Sequence, residues 1–257
     1  MVKIMAKKKR KLTKFGRILT DILIVLCLGV AGFSGYNLYK ELHEYQESTE
    51  AYNNLTPQVI TTNEETNEEE FDWESLKSMN SDFVGWIRMD DSTVDYPFVQ
   101  GSDNDYYLRH LFTGQYNNSG CVFMDVSNNS DFSDKNTVLY AHNMKNGTMF
   151  AAIEKFKDAS YYDSHKVIHI YTESMTYDLY PVAGILTDGQ DDYVRTSFSD
   201  DEDFMSYVNY FVSNTTFTSE QTIESTDRMV MLSTCNYDTE DGRYVLICKL
   251  VAEENNG

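Results

Sequence analysis

Cysteine is scarce in this chain, with four in 257 residues, and Cys27 sits inside an apolar run. The remaining three, Cys121, Cys235 and Cys248, are too few and too odd in number for a disulfide framework, so the fold must hold through its core. Over 100 residues separate the first two, and no C-x-x-C or H-E-x-x-H spacing occurs, which leaves out the common zinc arrangements. The Asp/Asn-rich stretch DVSNNSDFSDKN (125–136) lacks the EF-hand order. Gly101, Gly114 and Gly120 fall in turn contexts, and no phosphate-cradling glycine run or internal repeat is present. No metal and no other cofactor is expected.

Charge is present in excess, but it is divided. Residues 1–17 hold eight basic side chains and no acidic one; setting those aside leaves −28 on the remainder, against −20 for the whole chain. A basic head can be a nucleic-acid tail, but here it leads into ILTDILIVLCLGVAGFSGYNLY (18–39), an apolar run broken only by Asp21 and small polar residues. As a helix that run spans roughly 30 Å of hydrocarbon. Basic residues before it and none directly after predict an N-terminus in the cytoplasm and a body outside. The alternative is a cleaved signal peptide, for which no clean A-x-A triplet is found. The acidic body excludes nucleic acid as a partner and suits basic peptides or polymers.

The expected organisation is a cytoplasmic basic segment (1–17), a transmembrane signal-anchor (18–39), a juxtamembrane stalk and linker (40–70) and an extracytoplasmic domain (71–257). The stalk reads as helical through residue 55. TPQVITTNEETNEEE (56–70) is polar, acidic and read as a mobile linker. A short helix is predicted in FDWESLKSMNSDF (71–83). Eight strand-like runs follow, rich in Val, Ile, Tyr and Phe and separated by Gly, Asn, Asp and Ser clusters: FVGWIRM, DYPFVQ, GCVFMDV, NTVLYAHN, HKVIHIYT, MTYDLYPVAGILT, RMVMLSTC and RYVLICKLVAE. Two helices interrupt them, at 149–159 and at 199–214, the latter capped by Asp200 or Asp201. The pattern predicts a mainly β fold, a closed mixed barrel of about eight strands that leaves no exposed edge.

Cys235 ends an apolar strand and stands at a polar boundary, whereas Cys121 and Cys248 lie within apolar runs and read as inert. A buried, unreactive Cys235 is the competing interpretation. Of five histidines, His142 alone ends a strand in the same manner; His43 is in the stalk, His110 sits in a turn or short helix, His165 precedes a strand, and His169 is flanked by isoleucines. Two strand ends can bring a thiol and an imidazole into hydrogen-bond reach. Arg243 opens the strand after NYDTEDG. In a hairpin it returns beside Cys235, where a guanidinium can serve an oxyanion or a thiolate. A salt bridge to Asp238, Glu240 or Asp241 explains it equally well.

Taken together, MLSTC, the arginine opening the next strand, and the histidine of YAHNM resemble the sortases, membrane-anchored cysteine transpeptidases of Gram-positive cell walls. Met231 stands where the family usually has threonine, Ala141 where it commonly has glycine, and Ser233 is typical of class B. That class is also suggested by helices ahead of the barrel and one in the segment before the cysteine strand, which the resemblance implies forms one wall of the groove. The resemblance implies that Cys235, His142 and Arg243 are catalytic, and that Ser233, Thr234 and Asn236 beside the cysteine and Asn143 beside the histidine meet substrate. It further implies cleavage of a C-terminal sorting motif (NPxTx or LPxTG type) after threonine on a surface protein. The acyl group would pass to an amine of a peptidoglycan precursor, a cross-bridge or a pilin. A papain-like hydrolase is disfavoured, because its cysteine opens a helix. A non-catalytic cell-surface binding module is the alternative from a different class.

Overall fold

A computed structural model describes residues 13–62, 69–191, 193–236 and 241–253. The basic head through residue 12, the linker residues 63–68 and the acidic loop residues 237–240 lie outside that description. The chain divides into two compact units, 1–46 and 47–257.

In the first unit the apolar run belongs to helix α1 (Lys14–Val59). Its Phe15, Ile22, Leu26, Phe33 and Leu38 are all more than half exposed. Among the described residues this is the one helix long and apolar enough to cross a membrane, and its surface matches hydrocarbon rather than water.

In the second unit the last turns of α1 change character. Ser48, Tyr52, Leu55 and Val59 are buried at spacings of four, three and four, which is one face of a helix. The Tyr52 ring meets Tyr96 edge-on at 5.1 Å, and its hydroxyl donates to the Gly120 carbonyl at 3.0 Å. The stretch expected as linker therefore begins as helix. It continues as a two-stranded ribbon, β1 (Ile60–Thr62) and β2 (Glu69–Phe71), paired antiparallel. Phe71 anchors the ribbon by stacking on Trp73 and packing against Tyr171. Helix α2 (Trp73–Met79) follows. The Asp72 carboxylate caps it by accepting from the Ser75 N–H at 2.9 Å, which holds that carboxyl below its ordinary range.

The eight expected strands all form. They are β3 (Phe83–Arg88), β4 (Asp95–Val99), β5 (Val122–Met124) and β6 (Asn136–Tyr140). The first helical insertion then divides into α3 (Ala151–Glu154), a 3₁₀ turn at Lys155–Lys157 and α4 (Ala159–Ser164). The single helix expected over 149–159 breaks at Asp158, whose extended backbone lets its side chain cap α4 through the Ser160 N–H. Strands β7 (Ile168–Tyr171) and β8 (Thr176–Asp188), helix α5 (Asp201–Ser213), β9 (Arg228–Cys235) and β10 (Gly242–Ala252) complete the chain. The strands close into a barrel in the order β10-β8-β7-β3-β4-β5-β6-β9. Most pairs are antiparallel, but β4–β5 and β6–β9 are parallel.

Strand β10 is apolar on both faces because both are covered. Val245 and Ile247 belong to a cluster with Phe204, Val208 and Phe211 of α5, while Tyr244, Leu246 and Cys248 alternate onto the opposite face. Each such fully buried side chain stabilises the fold by about 1.5–3 kcal/mol relative to leaving it exposed. Asp200 caps α5, accepting from the Asp203 N–H at 2.8 Å. Asp203 in turn takes two hydrogen bonds from the Arg195 guanidinium, at 3.0 and 2.6 Å.

The bonds from Arg195, then from the Ser199 N–H, pull the Asp203 carboxyl down to about 2, against about 3.9 for an unfolded aspartate. Its contribution to stability is therefore complete above pH about 4 and is lost as pH falls toward 2. Asp203→Asn should flatten the dependence of Tm on pH across that window relative to the parent. Parallel Tm profiles for the two proteins would contradict the ion-pair role.

Candidate active site

The site grows out of three strand ends at one rim of the barrel. Strand β6 runs parallel to β9, with Tyr140 opposite Ser233. The pairing continues one residue further, as the Ala141 N–H donates to the Ser233 carbonyl at 3.3 Å. The Thr234 hydroxyl then donates back to the Ala141 carbonyl at 2.9 Å. This lock holds the exit of β6, which delivers His142, beside the exit of β9, which delivers Cys235.

Strand β10 returns antiparallel with Arg243 directly opposite Cys235, which sets their Cα atoms within about 5.5 Å of each other. The Asn236 N–H donates to the Gly242 carbonyl at 2.8 Å and closes the hairpin neck. The Arg243 guanidinium donates from Nη1 to the carbonyls of Asp241 and Gly242, both at 3.0 Å. Asp241 thus meets Arg243 through its backbone rather than as a carboxylate, while Asp238 and Glu240 are outside the described residues. Gly189 lies against the same guanidinium: a Cβ there would sit 2.9 Å from Cζ and 2.8 Å from the Asp241 carbonyl. A side chain at 189 would displace the arginine.

His142 is oriented by its backbone and its ring. Its carbonyl accepts from the Phe150 N–H at 2.9 Å, and Nε2 lies 2.8 Å from the Leu108 carbonyl. A carbonyl only accepts, so Nε2 carries the hydrogen and Nδ1 is the nitrogen left for proton exchange. The other histidines engage locally. His110 stacks on Tyr106 and His165 on Tyr161, and His169 Nδ1 bonds Asp178 at 2.8 Å. His169, Asp178 and Glu253 each bring a ligand atom within 4.8 Å of the others, but at the far end of β10 from Arg243, and no residue of that group lines the cleft.

His142, Cys235 and Arg243 border one cleft of about 280 Å³, together with Ser233 and Thr234. Asn143 and Asn236 do not line it. Both are buried, and both side-chain amides turn away from the cleft to the carboxylate of Glu154. Both lie past the ends of β6 and β9, where the strand no longer sets side-chain direction, whereas Ala141 and Thr234, on the other side of His142 and Cys235, do line the cleft.

Sequence reasoning missed other lining residues, among them Asn104, Leu108, Tyr140 and Tyr193. Tyr193, in a loop 42 positions before Cys235, offers no local signal. Its hydroxyl is 3.0 Å from the Ser233 hydroxyl. Asn104 and Tyr140 both donate to Asp125. Burial works to raise that carboxyl, but the bonds from Ser127, Tyr140 and Asn104 outweigh it and hold it low.

The expectation that helix α5 forms a wall of the groove meets a different structure. No α5 residue lines the cleft. Its apolar face is spent on the barrel, and it acts from behind: Tyr207 donates to the Tyr193 carbonyl at 2.6 Å, steadying the loop that does form the wall.

The cysteines differ in setting as well as in position. Burial pushes the Cys121 thiol up to about 12 and raises Cys248 still further, whereas Cys235 is partly exposed. In the native chain carrying Cys27→Ser, iodoacetamide at neutral pH should modify Cys235 alone, read as one added label by intact mass. Two or three labels before unfolding would contradict the assigned burial.

A sortase-domain family model matches residues 87–251, which run from β3 into β10. Sortase B of Listeria monocytogenes is 33% identical over 246 residues, covering 93% of this chain and 100% of the relative. The solved sortase B from Bacillus anthracis in complex with AAEK1 aligns with a TM-score of 0.73 at 31% identity, covering 82% of this chain and 100% of that one. The Staphylococcus aureus sortase B–substrate complex gives 0.73 at 27% identity with the same coverage. Similarity of this extent, over a barrel of the same architecture, establishes that the chain belongs to the sortase family, on its class B side, and is a sortase-type cysteine transpeptidase.

Proposed function

We propose that Cys235 attacks the threonine carbonyl of a C-terminal sorting motif, of the NPxTx or LPxTG type, on a surface protein. The thiolate forms the C–S bond as the peptide C–N bond breaks, and His142 gives a proton from Nδ1 to the departing amine. The thioester is then opened by an acceptor amine of a peptidoglycan precursor, a cross-bridge or a pilin. His142 takes the proton released from that amine, which returns the imidazole to its starting charge.

Arg243 is the electrostatic partner in this scheme. Nη1 is held by the carbonyls of Asp241 and Gly242, and a guanidinium has five N–H donors, so the fork can bind a substrate carbonyl or the tetrahedral oxyanion with those that remain. Ser233 and Thr234 contribute the wall beside the thiol, with Tyr193 bordering the same cleft. The anchored arrangement follows: residues 1–17 cytoplasmic, 18–39 in the membrane as an uncleaved signal-anchor, 40–70 as stalk, and 71–257 as the extracellular catalytic domain. The observation that carries the reading is the convergence of Cys235, His142 and Arg243 on one cleft from three strand ends.

The test is turnover of a panel of quenched peptides bearing NPxTx and LPxTG sequences by the full chain in detergent. Cleavage after threonine is expected for at least one motif and is abolished by Cys235→Ala. His142→Ala should lower kcat by about 10²–10⁴-fold. Arg243→Ala should cost about 10²–10³-fold, the scale of one lost oxyanion donor, with Arg243→Lys recovering little because an ammonium lacks the fork. Cleavage that survives Cys235→Ala would overturn the assignment.

A further inference from the structure

Each of the two strand-end residues, His142 and Cys235, is followed by an asparagine, and both asparagines reach the same carboxylate. Glu154, the last residue of α3, is largely buried, with its side chain 16% exposed. Its Oε2 accepts from Asn143 Nδ2, and its Oε1 accepts from Asn236 Nδ2 at 2.5 Å. Lys157 donates to the same Oε1 at 2.9 Å. Asn143 Nδ2 also donates to the carbonyl of Cys235 itself, at 2.9 Å.

We infer that Glu154 is the positioning residue of this site, a cross-brace that sets the separation of His142 and Cys235 from behind the cleft. The inference deepens the proposed function and rests on those two residues reacting. The ladder between β6 and β9 ends with the Ala141 N–H and the Thr234 hydroxyl. Past that point the amide of Asn143 joins the two chains directly, donating to the Cys235 carbonyl. Glu154 reinforces that link by holding both asparagines at once.

The chemistry of the brace suits the task. A carboxylate offers acceptors on both oxygens and no donor, so it takes one N–H from each asparagine and forms charge-assisted bonds stronger than neutral ones. His142 and Cys235 border the cleft while the next residues, Asn143 and Asn236, reach the brace, so holding the asparagines holds the backbone that carries the imidazole and the thiol. Glu154 does not line the cleft, and it touches neither reacting group. Its effect belongs in the rate of the chemical step rather than in peptide binding.

The test uses the full chain in detergent and three variants. Glu154→Met removes both acceptors while keeping the bulk. Asn236→Asp sets a carboxylate against a carboxylate. In the double variant Asn236→Asp/Glu154→Gln the glutamine can accept from Asn143 and donate to the carboxylate introduced at position 236, which restores both legs. For each we would measure kcat and KM on the cleaved peptide, Tm, and the rate of iodoacetamide alkylation of Cys235, which needs no peptide. Both single variants should lose about 10- to 100-fold in kcat, the scale of a displacement near 1 Å. KM should stay near parent, Tm should fall by no more than the few degrees that loss of these buried hydrogen bonds costs, Cys235 should be alkylated more slowly, and the double variant should recover to within about threefold. Single variants within twofold of parent, a loss confined to KM or Tm, or a double variant that fails to recover would overturn the inference. If the parent cleaves no peptide, the proposed function fails on its own, and the alkylation rates still decide the role of Glu154.

Discussion

The parallel pairing of β6 with β9 is the constraint on which the site depends. Parallel neighbours end at the same rim, so a histidine after one and a cysteine ending the other emerge side by side although 93 residues apart in sequence. Antiparallel β10 then begins at that rim and brings Arg243 opposite the thiol. Barrel closure makes the arrangement rigid, since each of the eight barrel strands has two neighbours and no edge can fray or slip in register. The chemistry is thus fixed by backbone hydrogen bonds first and by side chains second.

Three supports then hold the rim. Thr234 bonds the carbonyl before His142, Leu108 fixes the imidazole's hydrogen on Nε2, and Glu154 ties the two following asparagines. On the other side, α5 is sunk into the barrel through Phe204, Val208 and Phe211 and grips the Tyr193 loop through Tyr207. The second unit is a barrel whose apolar mass supports a small polar opening.

Much of this is legible in the sequence because it is local. Strand runs carry a period of two, and a change from apolar to polar marks where a strand stops, which singles out Cys235, His142 and Arg243 while leaving Cys121 and Cys248 inside. Their burial has the same origin. What cannot be read is set by distance in the fold. Tyr193 and Asn104 reach the cleft through loops that no periodicity describes. Asn143 and Asn236 are expected at substrate because they follow His142 and Cys235, yet both lie past the ends of their strands, where no period describes direction, and their amides reach Glu154 instead. The ribbon of β1 and β2 reads as linker through residue 70 because its composition is polar, and Phe71, expected at the start of a short helix, instead ends β2, held by aromatic partners that are mostly remote.

The proposed mechanism turns on a covalent acyl-enzyme at Cys235, which intact-mass spectrometry of the chain quenched in acid during turnover detects. An adduct equal to the sorting peptide up to its threonine is expected, mapped to the peptide containing Cys235 and discharged by added amine. Turnover with no adduct at any quench time, or an adduct on another residue, would contradict it.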